Sequence, residues 1–185
     1  MKVLIGLFFI ASTALLMGCS ERYQNSNLIA YEEAMQRLPG SPPAGPEIAD
    51  HFIALYGDLK GPELASRITE VYAETLFFGD TLHVFTEREA LRDYLVSTSE
   101  RVEKIEVEIK HVLVDGNDVW LNWRMQTRAK ALGKTMRANT MGMSHLRFDR
   151  HGKVVLHQDY WDSSEGVMVH IPVIGGLVRW TRNRL

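Results

Sequence analysis

The apolar positions of this chain change their spacing twice. Between residues 3 and 17 they run on unbroken and uncharged; between 47 and 101 they recur every three or four residues; from 105 onward they alternate with polar ones. The middle stretch predicts helices. Ile48, Phe52, Leu55 and Leu59 fall on one face of a helix over 47–59, with Pro46 suited to its first turn. Leu64, Ile68 and Val71 mark a second over 63–72, and Ala90, Leu91, Tyr94 and Leu95 a third over 87–101. Between these two, Leu76, Phe77 and Phe78 lie in a short extended stretch that ends at Asp80.

Beyond the third helix the period is two. Ile105, Val107 and Ile109 alternate with Glu106, Glu108 and Lys110, as in a strand with one wet face. Asp115-Gly116-Asn117-Asp118 predicts a hairpin turn, and Val119, Leu121, Trp123 and Met125 carry the apolar face back. Gly133-Lys134 turns the chain again into a long strand over 136–148, with Thr140, Gly142, Ser144 and Leu146 on one face. After Gly152 comes the densest run of ionisable and aromatic groups, residues 157–162. There His157, Asp159 and Trp161 share one strand face, and Leu156, Gln158 and Tyr160 the other. Three helices and then a four-stranded antiparallel meander predict an α+β domain, its helices packed on one face of a curved, mostly antiparallel sheet.

Composition changes this picture little. With 185 residues, 45% of them hydrophobic and 24% charged, the chain has room for one domain with a proper core. A net charge of −2 argues against nucleic acid as a partner. The ends add more. The apolar run over 3–17 follows Lys2, is shorter than a membrane span, and ends in Leu16-Met17-Gly18-Cys19. That ending resembles a bacterial lipoprotein signal, which implies cleavage before Cys19 and a diacylglycerol on its thiol. Residues 1–18 are then a signal peptide, and Ser20 after the cysteine implies the periplasmic face of the outer membrane. Cys19 is the one cysteine, so the mature chain would hold no free thiol for disulfides, thiolate metal sites or nucleophilic catalysis. Residues 19–46, polar and then rich in Pro and Gly, read as a tether with at most a short helical turn over 32–38. The domain proper is placed at 47–165 and an apolar, then basic, tail at 166–185.

Three helices, a short element ending in Asp80, and long strands closing on Gln158-Asp159-Tyr160-Trp161 resemble the cone-shaped fold of the nuclear transport factor 2-like superfamily. That group includes SnoaL-like polyketide cyclases, ketosteroid isomerase and limonene epoxide hydrolase. The resemblance implies three candidate catalytic positions. Asp80 stands where the isomerase has its base, Tyr56 where it has a tyrosine donor, and Asp159 matches an acid on the last strand of the epoxide hydrolase. The sets are incomplete: Ser144 replaces the isomerase's protonated acid, and Asn122 and Gln126 flank Arg124 where the hydrolase would need a second acid. Each candidate also has a plain structural reading. Asp80 is equally a turn-capping acid, Tyr56 a core tyrosine, and Asp159 the partner of Arg124 or Arg147 in a buried ion pair.

Trp123, Ser144, Leu146, His157 and Trp161 are the expected lining of an apolar ligand pocket, with no cofactor and no metal site in the histidine spacing. The function expected is therefore that of an envelope lipoprotein whose cone binds a small hydrophobic molecule. An isomerase or cyclase acting on a hydrophobic ketone or polyketide, and a homodimeric interaction module, are the alternatives. In the tail, residues 179–184 combine three arginines with Trp180, which suits an anionic membrane surface; capping the pocket mouth or a dimer contact are the other uses.

Overall fold

A computed structural model describes residues 26–131, 134–171 and 173–184. The signal segment, Cys19 and the turn at Gly133 lie outside the described residues.

The helical layer follows the apolar spacing. A 3-10 turn at Pro46–Ala49 leads into α2 (Asp50–Gly57), followed by α3 (Leu64–Val71) and, after two strands, α4 (Arg88–Arg101). They bury Phe52 and Leu55, then Leu64, Ile68 and Val71, then Leu91 and Leu95, in one core with Leu121, Leu146 and Phe148 of the sheet. Each such side chain contributes about 1.5–3 kcal/mol on burial. Two cations close helix ends that would otherwise leave carbonyls unpaired. Arg67 donates to the carbonyls of Ala54 and Asp58 at the end of α2, and Lys60 to those of Ser99 and Val102 at the end of α4.

The sheet has six strands in the order β2-β1-β6-β5-β4-β3. The expected meander is present as β3 (Val102–Asp115), β4 (Asp118–Ala131), β5 (Lys134–Phe148) and β6 (Val154–Trp161). Two strands extend it. The stretch after α3 becomes β1 (Tyr72–Gly79), parallel to β6, and β2 (Val84–Glu87) pairs antiparallel on its outer side. β1 tolerates this inner place because both of its faces are covered: Phe78 lies beside His157 on the concave face and Phe77 beside Leu156 on the convex one.

The expected tether needs correction from residue 26 onward. Residues 26–37 form α1 (Ser26–Arg37), a 12-residue helix packed on the convex face of the sheet. Its Ala34 is buried with Phe77 and Leu156, and Ala30, Tyr31, Met35 and Leu38 surround them. Spacings of four between Ala30, Ala34 and Leu38 give α1 an apolar stripe; only the neighbouring charges hide it in the sequence. The Pro/Gly segment after it is laid down too. The Ser41 N–H donates to the Phe148 carbonyl at 2.7 Å, and Asn117 donates to that of Pro39. Gly40 is left-handed (φ 70°), where an added Cβ would meet Arg147.

Candidate functional site

A cavity of about 900 Å³ opens between the concave face of the sheet and the helices, and Gly166, Val167, Val169, His170, Ile171 and Val173 of the C-terminal segment form part of its wall. Its lining is mostly apolar. The sheet supplies two tryptophans to it, and a glycine makes room for them. Trp123 and Trp161 both stand opposite Gly142 in register, and a Cβ on Gly142 would come within 2.5 Å of one indole and 2.8 Å of the other residue's Cβ.

Two carboxylates lie among the lining residues, Asp80 and Asp159, and their surroundings differ. Asp80 follows β1 at a tight turn. Its Oδ1 accepts the backbone N–H groups of Leu82 (2.9 Å) and His83 (2.7 Å), and its Oδ2 accepts the Tyr94 hydroxyl at 2.5 Å. Its own carbonyl receives the Trp161 indole N–H at 2.9 Å. This is an acid that shapes a turn, in which Thr81 holds the left-handed backbone (φ 71°).

Asp159 is held at one oxygen and open at the other. Oδ1 accepts the Ser144 hydroxyl at 2.5 Å and the His157 Nε2–H at 2.8 Å. Ser144 sits directly across from Asp159 in the β5–β6 register, and its oxygen accepts the Trp123 indole N–H at 2.9 Å. Oδ2 makes no hydrogen bond among the described residues, and the side chain keeps 16% of its surface exposed. The expected ion pair with Arg124 or Arg147 does not form. Arg124 is exposed, and Arg147, one residue out of phase with Leu146, points to the convex face, where it pairs with Asp118.

The hydrogen bonds continue inward from Asp159. His157 is completely buried, and its Nδ1 lies 2.7 Å from the Tyr72 hydroxyl, which lies 2.8 Å from that of Tyr56. A carboxylate can only accept, so His157 must donate from Nε2. In the neutral imidazole Nδ1 is then an acceptor, Tyr72 donates to it, and Tyr56 donates to Tyr72. The order is fixed from one end to the other. Burial pushes the phenols of Tyr56 and Tyr72 well above the ordinary tyrosine value; the Asp159 charge reinforces this for Tyr56, and Tyr56 for Tyr72. Both hydroxyls stay protonated, so two ends of one relay, Tyr56 and Asp159, reach the same cavity.

A family model of the SnoaL-like domain matches residues 50–157, more than half of the chain. The chain belongs to the SnoaL-like domain family. Solved structures agree on the fold. A hypothetical protein with a ketosteroid isomerase-like fold from Catenulispora acidiphila DSM 44928, in complex with trimethylamine, is 20% identical with a TM-score of 0.55, over 67% of this chain and 92% of its own. An epoxide hydrolase from M. tuberculosis, described as LEH-like, is 16% identical with a TM-score of 0.54, over 75% and 95%. An NTF2-like protein of unknown function from Exiguobacterium sp. 255-15 is 13% identical with a TM-score of 0.54, over 62% and 98%. No curated protein is significantly similar in sequence.

Within this SnoaL-like domain the residues singled out from sequence separate into three groups. Tyr56, Asp80, Trp123, Ser144, Asp159 and Trp161 line the cavity together. His157 stands one layer behind it, in contact with Asp159 but not with the cavity. Leu146 is in the helix–sheet core and does not line the cavity. Sequence reasoning missed Tyr72 and Tyr94, which read as ordinary apolar positions of helical segments. Nothing in their spacing marks a hydroxyl that reaches a carboxylate or histidine from another element.

Proposed function

We propose that this SnoaL-like domain binds a small hydrophobic molecule in its cone and offers it one unpaired carboxylate oxygen, Oδ2 of Asp159. The cavity itself carries the reading: about 900 Å³ of largely apolar space suits a drug-sized or larger ligand, and its few polar groups are anchored from behind. Native mass spectrometry of the full chain tests it. A co-purifying hydrophobic mass is expected, and protein that is invariably empty would count against it.

A second reading, proton transfer in an isomerase or cyclase acting on a hydrophobic ketone or polyketide, is favoured by the contrast between the two acids. A base needs a lone pair directed at the carbon acid and a fixed position. Asp159 has both, since Oδ1 is pinned and Oδ2 is open, whereas both oxygens of Asp80 are engaged. Tyr56 lines the same cavity, but its one hydroxyl proton is committed to Tyr72, so it offers a ligand lone pairs rather than a donor. Deuterium exchange into a panel of enones should disappear in Asp159→Asn and persist in Asp80→Asn. The opposite pattern would return the role of base to Asp80.

The lipoprotein reading stands on the sequence at Cys19, with the periplasmic face of the outer membrane as the location. Mass spectrometry of the mature N-terminal peptide should find Cys19 at its start with a diacylglycerol attached. An unmodified Cys19 thiol would refute the anchor.

A further inference from the structure

Past a one-turn helix α5 (Ser163–Gly166), the C-terminal helix α6 (Ile174–Arg182) is mounted with its polar side inward. An amphipathic helix on a folded domain normally buries its apolar stripe. Here Gly175 is the buried residue, so close to the preceding 3-10 turn that an added Cβ would lie 2.2 Å from the Val169 carbonyl oxygen. On the same side Arg179 donates to that carbonyl at 2.7 Å, and Arg182 is held by Asp162 and Glu165. These contacts fix the rotation of the helix. Its other side therefore faces out: Leu177 is 63% exposed, Trp180 55%, and Val173, which leads into the helix, 90%. Val173 adopts φ 68°, which a β-branched residue accepts only under constraint.

We infer that this outward face docks on an anionic lipid surface. Nine residues are too few to span a bilayer, and no helix among the described residues is long and apolar enough to do so; α6 would therefore lie in the interface plane. The outward side carries Ile174, Leu177 and Trp180, and Arg184 stands at its end beside Trp180. The Arg184 guanidinium sits 4.7 Å from the Trp180 ring centre, and no carboxylate among the described residues pairs with Arg179 or Arg184. Apolar anchors, an amphipathic indole and a cation at the end match the acyl, carbonyl and phosphate layers of a leaflet in order. A second copy fits less well, because a two-fold contact on this face would bring like arginines together. Ile171, Val173 and Arg179 also line the cavity, so docking would set its mouth against the membrane.

Quenching of tryptophan emission by brominated acyl chains tests this in the full chain, whatever its N-terminus contributes to binding. With vesicles of equal parts phosphatidylglycerol and phosphatidylcholine, quenching should be present, should vanish in Trp180→Phe, and should vanish in Leu177→Asp with unchanged circular dichroism. Raising the salt should weaken it. Trp180 emission that is never quenched, or is quenched as strongly in Leu177→Asp, would overturn the inference. So would a concentration-dependent dimer that dissociates in Leu177→Asp while Trp180 stays unquenched. None of these outcomes bears on whether the cavity holds a ligand, which the co-purifying mass decides separately.

Discussion

Asp80 and Asp159 are one side-chain type in two roles, and the difference lies in how many of their lone pairs the fold uses. Asp80 satisfies two backbone N–H groups and a tyrosine hydroxyl, so its removal should be felt in stability. Asp80→Ala should cost about 1.5–3 kcal/mol in urea unfolding, the range for hydrogen bonds to a charged group. The relay tyrosines carry a pH dependence of their own. Their folded values lie above the ordinary one, so they contribute stability that is intact below the unfolded value, about pH 10, and lost as pH rises beyond it. Tyrosinate absorbance should therefore show these two phenols, with Tyr94 and Tyr160, whose values burial also raises, resisting ionisation until alkaline unfolding. Tyr72→Phe should lose one of them and, by leaving His157 Nδ1 unpaired, cost about 1–3 kcal/mol.

α1 shows where an element escapes a sequence reading. The helices and the meander were legible because their apolar residues repeat at 3.6 or 2 over eight residues or more. α1 has a weaker stripe, and polar contacts made far along the chain help to hold it. Tyr31 lies 2.8 Å from His145 Nδ1; His145 Nε2 lies 2.7 Å from Asp118; Arg147 pairs with Asp118 and donates to the carbonyls of Met35 and Leu38 at the helix end. Separations of more than one hundred residues leave no local trace. The parallel pairing of β1 with β6 was missed for the same reason: a strand buried on both faces has no alternation to read. Trp120 stacks on the His145 ring, and burial lowers the value of that imidazole although Asp118 pulls it up. The unfolded chain then takes up a proton below about pH 6.5 that the folded one resists, so stability is present above that pH and lost as pH falls. The thermal midpoint should drop on acidification through this range, and less so in His145→Asn. Arg147→Ala should cost about 1.5–3 kcal/mol, the worth of hydrogen bonds to a charged group, with hydrogen exchange rising first in α1.

At the scale of the whole molecule, the domain keeps about 900 Å³ of space where a smaller cone would have filled itself with side chains. Interiors are otherwise close-packed, and empty apolar volume forfeits dispersion contacts on every wall. The cavity survives because the sheet is held open by features outside it. Gly142 lets the two indoles splay, α1 supports the convex side, and the main core lies at the other end, around Leu121, Leu146 and Phe148. Such a molecule should gain stability from whatever fills it. A ligand present at a hundred times its dissociation constant adds about 2.7 kcal/mol. For a chain of this size that raises the melting point by roughly 5–10 °C. Protein refolded from denaturant after extraction with organic solvent should therefore melt lower by about that much than protein as purified. Adding the extract back should restore the difference. Trp161→Ala should weaken the restoration, because it removes an indole from the wall and the hydrogen bond that ties Asp80 to β6. Melting points that agree before and after extraction would mean that the cavity holds nothing in the native preparation. The cone would then stand as a scaffold rather than a binding site.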